Sequence, residues 1–265
     1  MLRNSQIFGD MNATVSAILS ASTGPVALFI DFDGTLVEIA PSPDAIEVPA
    51  GLPERLQALH RALDGAVAIV TGRTIDAIEG FLPGQDISIT GGHGAERRHL
   101  GRRETVDPAL LANARAIAAR VTDTLAGHPG LLVEPKPTGV AVHYRAAPEK
   151  ATLARAALIR AIDGFNDFHA IEGKKVFEAR PKWADKGSAV ESLMQIKPFA
   201  GRMPIFIGDD VTDEDGFAAA DRLGGFGIRI GQGRTGARFT LPAIADLFES
   251  FDALIARAGQ ESPAP

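Results

Sequence analysis

Two short acidic runs hold the residues best placed to do chemistry. The first is Asp31-Phe32-Asp33-Gly34-Thr35-Leu36, directly after the apolar run Val26–Ile30. Period-two alternation puts Asp31 and Asp33 on the same side if the extended path continues. Gly34 then permits a sharp turn away. The second run is Gly208-Asp209-Asp210-Val211-Thr212-Asp213-Glu214-Asp215, with five acids in seven residues after the apolar Ile205–Ile207. Acids packed this densely repel one another unless a cation or a helix amino end offsets them. Taken singly, the first run also reads as an ordinary turn and the second as a solvated helix start. Ligands of open α/β sheets bind outside the carboxyl ends of the strands, so the two runs are expected to converge at one sheet edge. Hard oxygen ligands gathered there suit Mg²⁺, which takes only a few carboxylates and keeps several waters.

Two further pieces belong with them. Thr71-Gly72-Arg73 follows the apolar Val67–Val70 and opens a helical stretch, where a hydroxyl and backbone N–H groups can hold an anion. By itself this is equally a plain helix cap. Lys186, in Asp185-Lys186-Gly187, opens another helical stretch before the second acidic run. Most lysines are solvated surface groups, and alone it would be read as one.

The elements that must position these residues are legible as alternating segments. Short β-rich runs lie at Val26–Ile30, Val67–Val70, Ile87–Thr90, Gly139–His143, Lys175–Ala179, Pro204–Gly208 and Gly227–Ile230. Helical spacing is expected over Ala109–Leu125, Pro148–Phe165 and Thr240–Ala258. Strands alternating with helices predict α/β architecture with a parallel sheet. Val26–Ile30 and Ile205–Ile207, apolar at every position, read as central strands buried on both faces. The strands at 139–143 and 175–179 interleave polar residues, as in a sheet with one wet face. Residues 101–180 are therefore expected to form a second α/β unit inserted into a core made of 20–100 and 181–258, with flanking segments 1–19 and 259–265. The tail after Ala258 is expected to fray.

Composition narrows the function classes. The 265 residues carry 27 Lys+Arg against 33 Asp+Glu, a formal charge of −6, with one Trp and one Tyr. The acid excess argues against general nucleic-acid binding, which wants a basic face, and so few large aromatics argue against a stacking platform for single strands. No apolar run reaches the roughly 20 residues that span a bilayer, and the first twenty residues are too polar for a secretory leader. Cysteine is absent, which excludes disulfides, zinc thiolates and thiol nucleophiles. A cytoplasmic location and a monomer are the favoured expectations. No Gly-x-x-x-x-Gly-Lys-Ser/Thr occurs, so a P-loop kinase is excluded.

Carboxylate, hydroxyl, lysine and carboxylate, in that chain order, resemble the four-motif signature of the haloacid dehalogenase superfamily of phosphohydrolases. The resemblance implies a Rossmann-like parallel-sheet core with an inserted α/β cap. It implies Asp31 as the nucleophile that forms an aspartyl phosphate, and Asp33 as the acid that protonates the leaving oxygen and then activates water. Thr71 and Lys186 would bind the transferring phosphoryl group. Asp31, the backbone carbonyl of Asp33, and Asp209 would ligate Mg²⁺, with Asp213 orienting the metal shell or Lys186.

Further motifs are similar to the trehalose-6-phosphate phosphatases. They are Asp31 to Ile39 with Pro41, Pro43 and Ala45; Gly91-Gly92-His93-Gly94-Ala95-Glu96; Glu134-x-Lys136 with His143-Tyr144-Arg145; Gly173-Lys174-x-x-x-Glu178 with Arg180-Pro181; and the second acidic run. This resemblance covers about residues 25–235 and implies Mg²⁺-dependent hydrolysis of trehalose 6-phosphate. Gly72, Arg73, His93, Glu134, Lys136, His143, Arg145, Lys174 and Glu178 are the expected substrate-binding residues. For the cap charges the bland alternative is the wet face of the cap sheet, and for His93 a buried structural role at a hinge. Two departures stand out. Lys182-Trp183-Ala184-Asp185 replaces a glycine-bearing turn, with Trp183 expected to pack on the cap or shield the hinge, and Gly216 stands where a bulkier residue is usual. Without a fused synthase segment the chain is expected to be a stand-alone phosphatase. The rivals are a phosphatase for sucrose phosphate or mannosyl phosphoglycerate and, from another class, a phospho-aspartate receiver. A receiver fits in roughly 100–150 residues and lacks a counterpart of Asp33.

Overall fold

The computed structural model describes residues 25–261; the 1–19 segment and residues 262–265 lie outside them. Chain order is β1 (Val26–Ile30), α1 (Leu52–Ala62), β2 (Val67–Val70), α2 (Ile75–Phe81), β3 (Ser88–Gly91), β4 (Glu96–His99), β5 (Arg102–Arg103) and α3 (Pro108–Leu125). Then come β6 (Leu132–Lys136), β7 (Gly139–His143), α4 (Ala151–Ala161), β8 (Phe168–Gly173), β9 (Val176–Pro181) and α5 (Lys186–Leu193). β10 (Met203–Gly208), α6 (Glu214–Arg222), β11 (Phe226–Ile230), β12 (Phe239–Leu241) and α7 (Ile244–Glu261) complete it.

Eight strands form one sheet in the order β12-β11-β10-β1-β2-β3-β4-β5. The six from β12 to β3 are parallel, and β4 and β5 extend the sheet antiparallel. β1 sits at the centre, fully buried, paired to β10 on one side and β2 on the other. Its alternate residues feed two cores. Leu28 and Ile30 join Leu56 and Leu59 of α1 and Leu247 and Phe251 of α7. Ala27 and Phe29 join Val190 and Leu193 of α5 and Phe217 of α6. Continued alternation carries Asp31 onto the α5 side, and the extended path does continue: the Asp31 N–H donates to the Ile207 carbonyl at 2.9 Å.

The second sheet is four antiparallel strands in the order β6-β7-β9-β8. One face packs on α3 and α4 through Ile117, Val121, Val140, Val142, Leu158, Phe177 and Ala179. The other face turns Glu134, Ala141, Glu178 and Ile171 toward the first sheet, and these lie opposite one another across neighbouring strands.

Several elements differ from the sequence expectation. β4, β5, β6, β8 and β12 carry no apolar alternation strong enough to announce a strand. β6 and β8 are sheet edges, and β6 tolerates Pro135 because an edge strand can spare an N–H. The helix expected over 148–165 is a 3₁₀ turn at Pro148–Lys150 followed by the shorter α4. The one expected over 240–258 gives its first residues to β12 and continues to Glu261, so Gly259 to Glu261 are helical where fraying was expected. Trp183 is 54% exposed, and its carbonyl accepts the Ser188 hydroxyl at 3.0 Å. Gly216 is explained by packing, since a Cβ there would lie 2.6 Å from the Phe206 ring. No helix among the described residues is long and apolar enough to cross a membrane.

Candidate active site

The carboxyl ends of β1, β2 and β10 and the start of α5 meet at one point. Lys186 Nζ is 2.8 Å from Asp31 Oδ1 and 2.6 Å from Asp213 Oδ1. All three side chains are buried. The other oxygen of Asp213 accepts the backbone N–H groups of Asp209 and Asp210 at 3.0 and 2.9 Å. Gly208 makes this possible, because a Cβ there would fall 2.2 Å from the Asp213 carboxyl carbon. Lys186 is the first residue of α5. Asp185 caps that helix by accepting the Ser188 N–H at 2.7 Å, and the Ser188 hydroxyl accepts the Asp185 N–H in return.

The electrostatics follow from burial. Desolvation pushes the Asp31 carboxyl well up, with Lys186 pulling against it. Burial alone would draw the Lys186 ammonium down, but Asp213 and Asp31 outweigh it and hold it above the ordinary lysine value. Burial, then Asp213 and Asp210, push Asp209 up to about 7.

Asp209 supplies the strongest sign of a ligand. Its Oδ1 is buried without a partner, and one carboxylate oxygen each from Asp31, Asp209 and Asp213 lies within 4.8 Å of the others. Gly34, at φ 80°, turns the chain directly against the Asp209 carboxylate, and a Cβ there would lie 2.4 Å from it. An unpaired buried carboxylate oxygen among hard oxygen donors fits a divalent cation. Asp213 is already spent on Lys186 and on backbone N–H groups, so Asp31 and Asp209 are the carboxylates left to hold one.

Thr71 and Arg73 complete the core side. The Thr71 hydroxyl accepts the Arg73 N–H at 3.1 Å, which leaves its own proton to donate. Arg73 grips Asp33 in a bidentate pair, Nε to Oδ2 at 2.6 Å and Nη2 to Oδ1 at 2.8 Å, and Nη1 donates to the Pro43 carbonyl at 2.9 Å. Its guanidinium lies over Phe32 and Phe81.

The cap face contributes a charged cluster. Lys136 Nζ donates to Glu178 Oε1 and to the Gly72 carbonyl, the latter at 3.0 Å. His93 Nε2 is 2.8 Å from Glu178 Oε2, and His143 Nε2 is 2.7 Å from Glu134 Oε2. Burial would raise Glu178, but Lys136 and His93 hold it well below the ordinary carboxylate range. Burial pulls the His93 imidazole down against the pull of Glu178. Arg145 and Lys174 are exposed at the rim, with Arg145 Nη2 near the Lys174 carbonyl.

One cleft is thus lined by Asp31, Asp33, Thr71, Gly72, Arg73, His93, Glu134, Lys136, His143, Arg145, Lys174, Glu178, Lys186 and Asp209, with Asp213 buried beneath it. Sequence reasoning missed the apolar wall made by Ile39, Pro41, Pro43 and Ile46 of the core and Ile171 and Val176 of the cap. The prolines at 41 and 43 were visible, but nothing in their spacing says which way the loop folds.

This fold and site define a phosphatase of the haloacid dehalogenase type. The sequence model of the trehalose-phosphatase family matches residues 29–241, and the chain belongs to that family. It is 37% identical over 222 residues to the trehalose-6-phosphate phosphatase of Escherichia coli (strain K12), covering 84% of each chain. A probable trehalose-phosphate phosphatase of Sinorhizobium fredii is 43% identical over 217 residues, covering 80% of each. The crystal structure of a trehalose-6-phosphate phosphatase related protein superposes with a TM-score of 0.79 at 28% identity, over 89% of this chain and all of that one.

Proposed function

We propose that the protein hydrolyses trehalose 6-phosphate to trehalose and phosphate in two half-reactions on Asp31. The observation that carries this reading is the buried Asp31–Lys186–Asp213 array, facing a cap row of Glu134, Glu178, Lys136 and His143 across one cleft. Lys186 occupies Oδ1 of Asp31, which leaves the second oxygen to attack phosphorus as the bond to the sugar oxygen breaks. Asp33 gives its proton to that oxygen. In the second half Asp33 takes a proton from water as the water oxygen attacks phosphorus, and the acyl phosphate bond breaks to return the Asp31 carboxylate. Thr71 donates its hydroxyl to the phosphoryl oxygens, and Lys186 offsets their charge. Asp31, the Asp33 backbone carbonyl and Asp209 would hold Mg²⁺, which when bound neutralises the phosphate dianion and lets an anionic nucleophile approach.

Arg73 acts in this reading as a positioning residue for Asp33, since Nε and Nη2 grip both of its carboxylate oxygens. Glu134, Lys136, His143, Arg145, Lys174 and Glu178 supply charged partners for glucose hydroxyls, which make the stronger hydrogen bonds, and the apolar wall covers the sugar faces. Phosphate release measured with Mg²⁺ over a panel of sugar phosphates tests the substrate, with trehalose 6-phosphate expected to be fastest. Faster release from sucrose phosphate or mannosyl phosphoglycerate would overturn the substrate, and turnover surviving in Asp31→Asn would overturn the nucleophile.

A further inference from the structure

Two members of the cap's charged cluster, Lys136 and Glu178, are also bonded back to the core. Lys136 and Glu178 belong to β6 and β9, whereas His93 and Gly72 belong to the core. The contacts close a circuit from His93 to Glu178 to Lys136 to the Gly72 carbonyl. The His93 N–H closes it on the core side by donating to the Thr71 carbonyl at 2.9 Å. The side chains of His93, Glu178 and Lys136 are only 9, 13 and 12% exposed.

Two backbone features exist to make room for this circuit. His93 takes φ 57°, ψ 20° in the turn between β3 and β4, a left-handed conformation uncommon for a residue with a side chain. Gly72 lies so close to the imidazole that a Cβ would fall 2.4 Å from Nε2. Nε2 is paired with Glu178 and Nδ1 is buried without a partner, so the polar contact this side chain makes is with the cap.

We propose that His93 is a positioning residue that docks the cap: it anchors Glu178, and through it Lys136, onto the loop carrying Thr71. Cap closure is thereby registered on the segment that faces the phosphoryl group. Separating the two sheets would strip Glu178 of its core donor and leave the strained His93 backbone without the contact that holds it. The sugar-gripping charges are then set at the correct height only when the cap is seated. This rests on the reading above for its kinetic arm alone, since docking is a property of the substrate-free protein.

The test compares wild type, His93→Ala, His93→Gln and Glu178→Ala without substrate. Small-angle scattering reads the cap–core separation, and amide hydrogen exchange reads residues 71–73 and β9. His93→Ala and Glu178→Ala are expected to enlarge the radius of gyration and speed exchange at both places. His93→Gln, whose amide can still donate to Glu178, should recover most of the wild-type behaviour. In turnover, His93→Ala should lower kcat/KM for trehalose 6-phosphate roughly 10- to 100-fold, and p-nitrophenyl phosphate by less. The double variant His93→Ala with Glu178→Ala should be no worse than Glu178→Ala alone. Wild-type scattering and exchange in His93→Ala, with only KM for the sugar phosphate raised, would make His93 a direct sugar contact and overturn docking. Failure of Gln to recover would reduce His93 to packing. If His93→Ala does not fold, Glu178→Ala and His93→Gln decide the matter by the same readouts. Failure of every variant and the wild type on sugar phosphates would sink the substrate while leaving the scattering result standing.

Discussion

Asp33 is the residue whose surroundings say most about the chemistry, because it faces a partner that the reaction must loosen. Arg73 holds both of its oxygens and the Pro43 carbonyl together. That geometry fixes the direction of the Asp33 carboxyl, which suits activation of water. Proton donation to the leaving oxygen needs the pair to yield. Lysine cannot reproduce a planar bidentate grip, so Arg73→Lys should misplace Asp33 while keeping the charge. A sugar alkoxide leaves poorly and needs the acid, whereas p-nitrophenolate leaves unaided. Arg73→Lys should therefore lower kcat for the sugar phosphate roughly 10²-fold and release the first equivalent of p-nitrophenol with a much smaller loss, read by rapid mixing. Equal loss on both would place Arg73 on the phosphoryl group instead. Asp31, Asp33, Thr71, Lys186 and Asp209 were legible in sequence because each sits next to a strand end or helix start whose own residues announce it. The partner of Arg73 was not, because Asp33 is 40 positions away and only the parallel pairing of β1 with β2 brings them together.

At the scale of elements, α5 uses a helix cap to set the position of Lys186, which the proposed mechanism needs. Lys186 is its first residue, and the Asp185–Ser188 capping box fixes where that residue stands. Asp185→Ala should cost about 1 kcal/mol of stability, seen as a lower urea midpoint, and should lower kcat on aryl and sugar phosphates alike because Lys186 serves both. A stability loss with unchanged kcat would mean that packing alone places the lysine. The central strands β1, β2 and β10 and the inner cap strands β7 and β9 could be read from composition, since burial on one or both faces writes itself into side-chain type. The edges β5, β6, β8 and β12 could not. An edge is made by hydrogen bonds to one neighbour, and those bonds ask little of its side chains. Glu134 and Lys136 were therefore singled out through resemblance and not through a visible strand.

Across the whole molecule, the acid excess matters through its placement. Asp209 titrates in the folded protein near 7 against an ordinary 3.8, and Asp31 is raised as well. A raised carboxyl means that the folded state binds the proton more tightly than the unfolded chain. The stabilisation is complete below about 3.8 and is lost as pH rises through about 7. Glu178 has the opposite sign, but its window lies in more acid solution. Metal-free Asp209→Asn should therefore melt a few degrees above the wild type at about pH 8, and by less at about pH 5. Adding Mg²⁺ should raise the wild-type melting temperature and leave the variant unmoved; an unresponsive wild type would remove Asp209 from the metal site. The sequence by itself determined the chemistry available: which carboxylates, hydroxyl and ammonium end up past buried strands, and that no thiol takes part. These are local matters, set by apolar runs and the turns that end them. Only the tertiary structure decided the assignments among partners. It gave Asp213 to Lys186, Arg73 to Asp33, and His93 to Glu178 of the cap. Such pairings depend on sheet order and on how the second sheet seats over the first. Contacts between residues 85 positions apart, as in His93 and Glu178, leave no periodic trace in the chain.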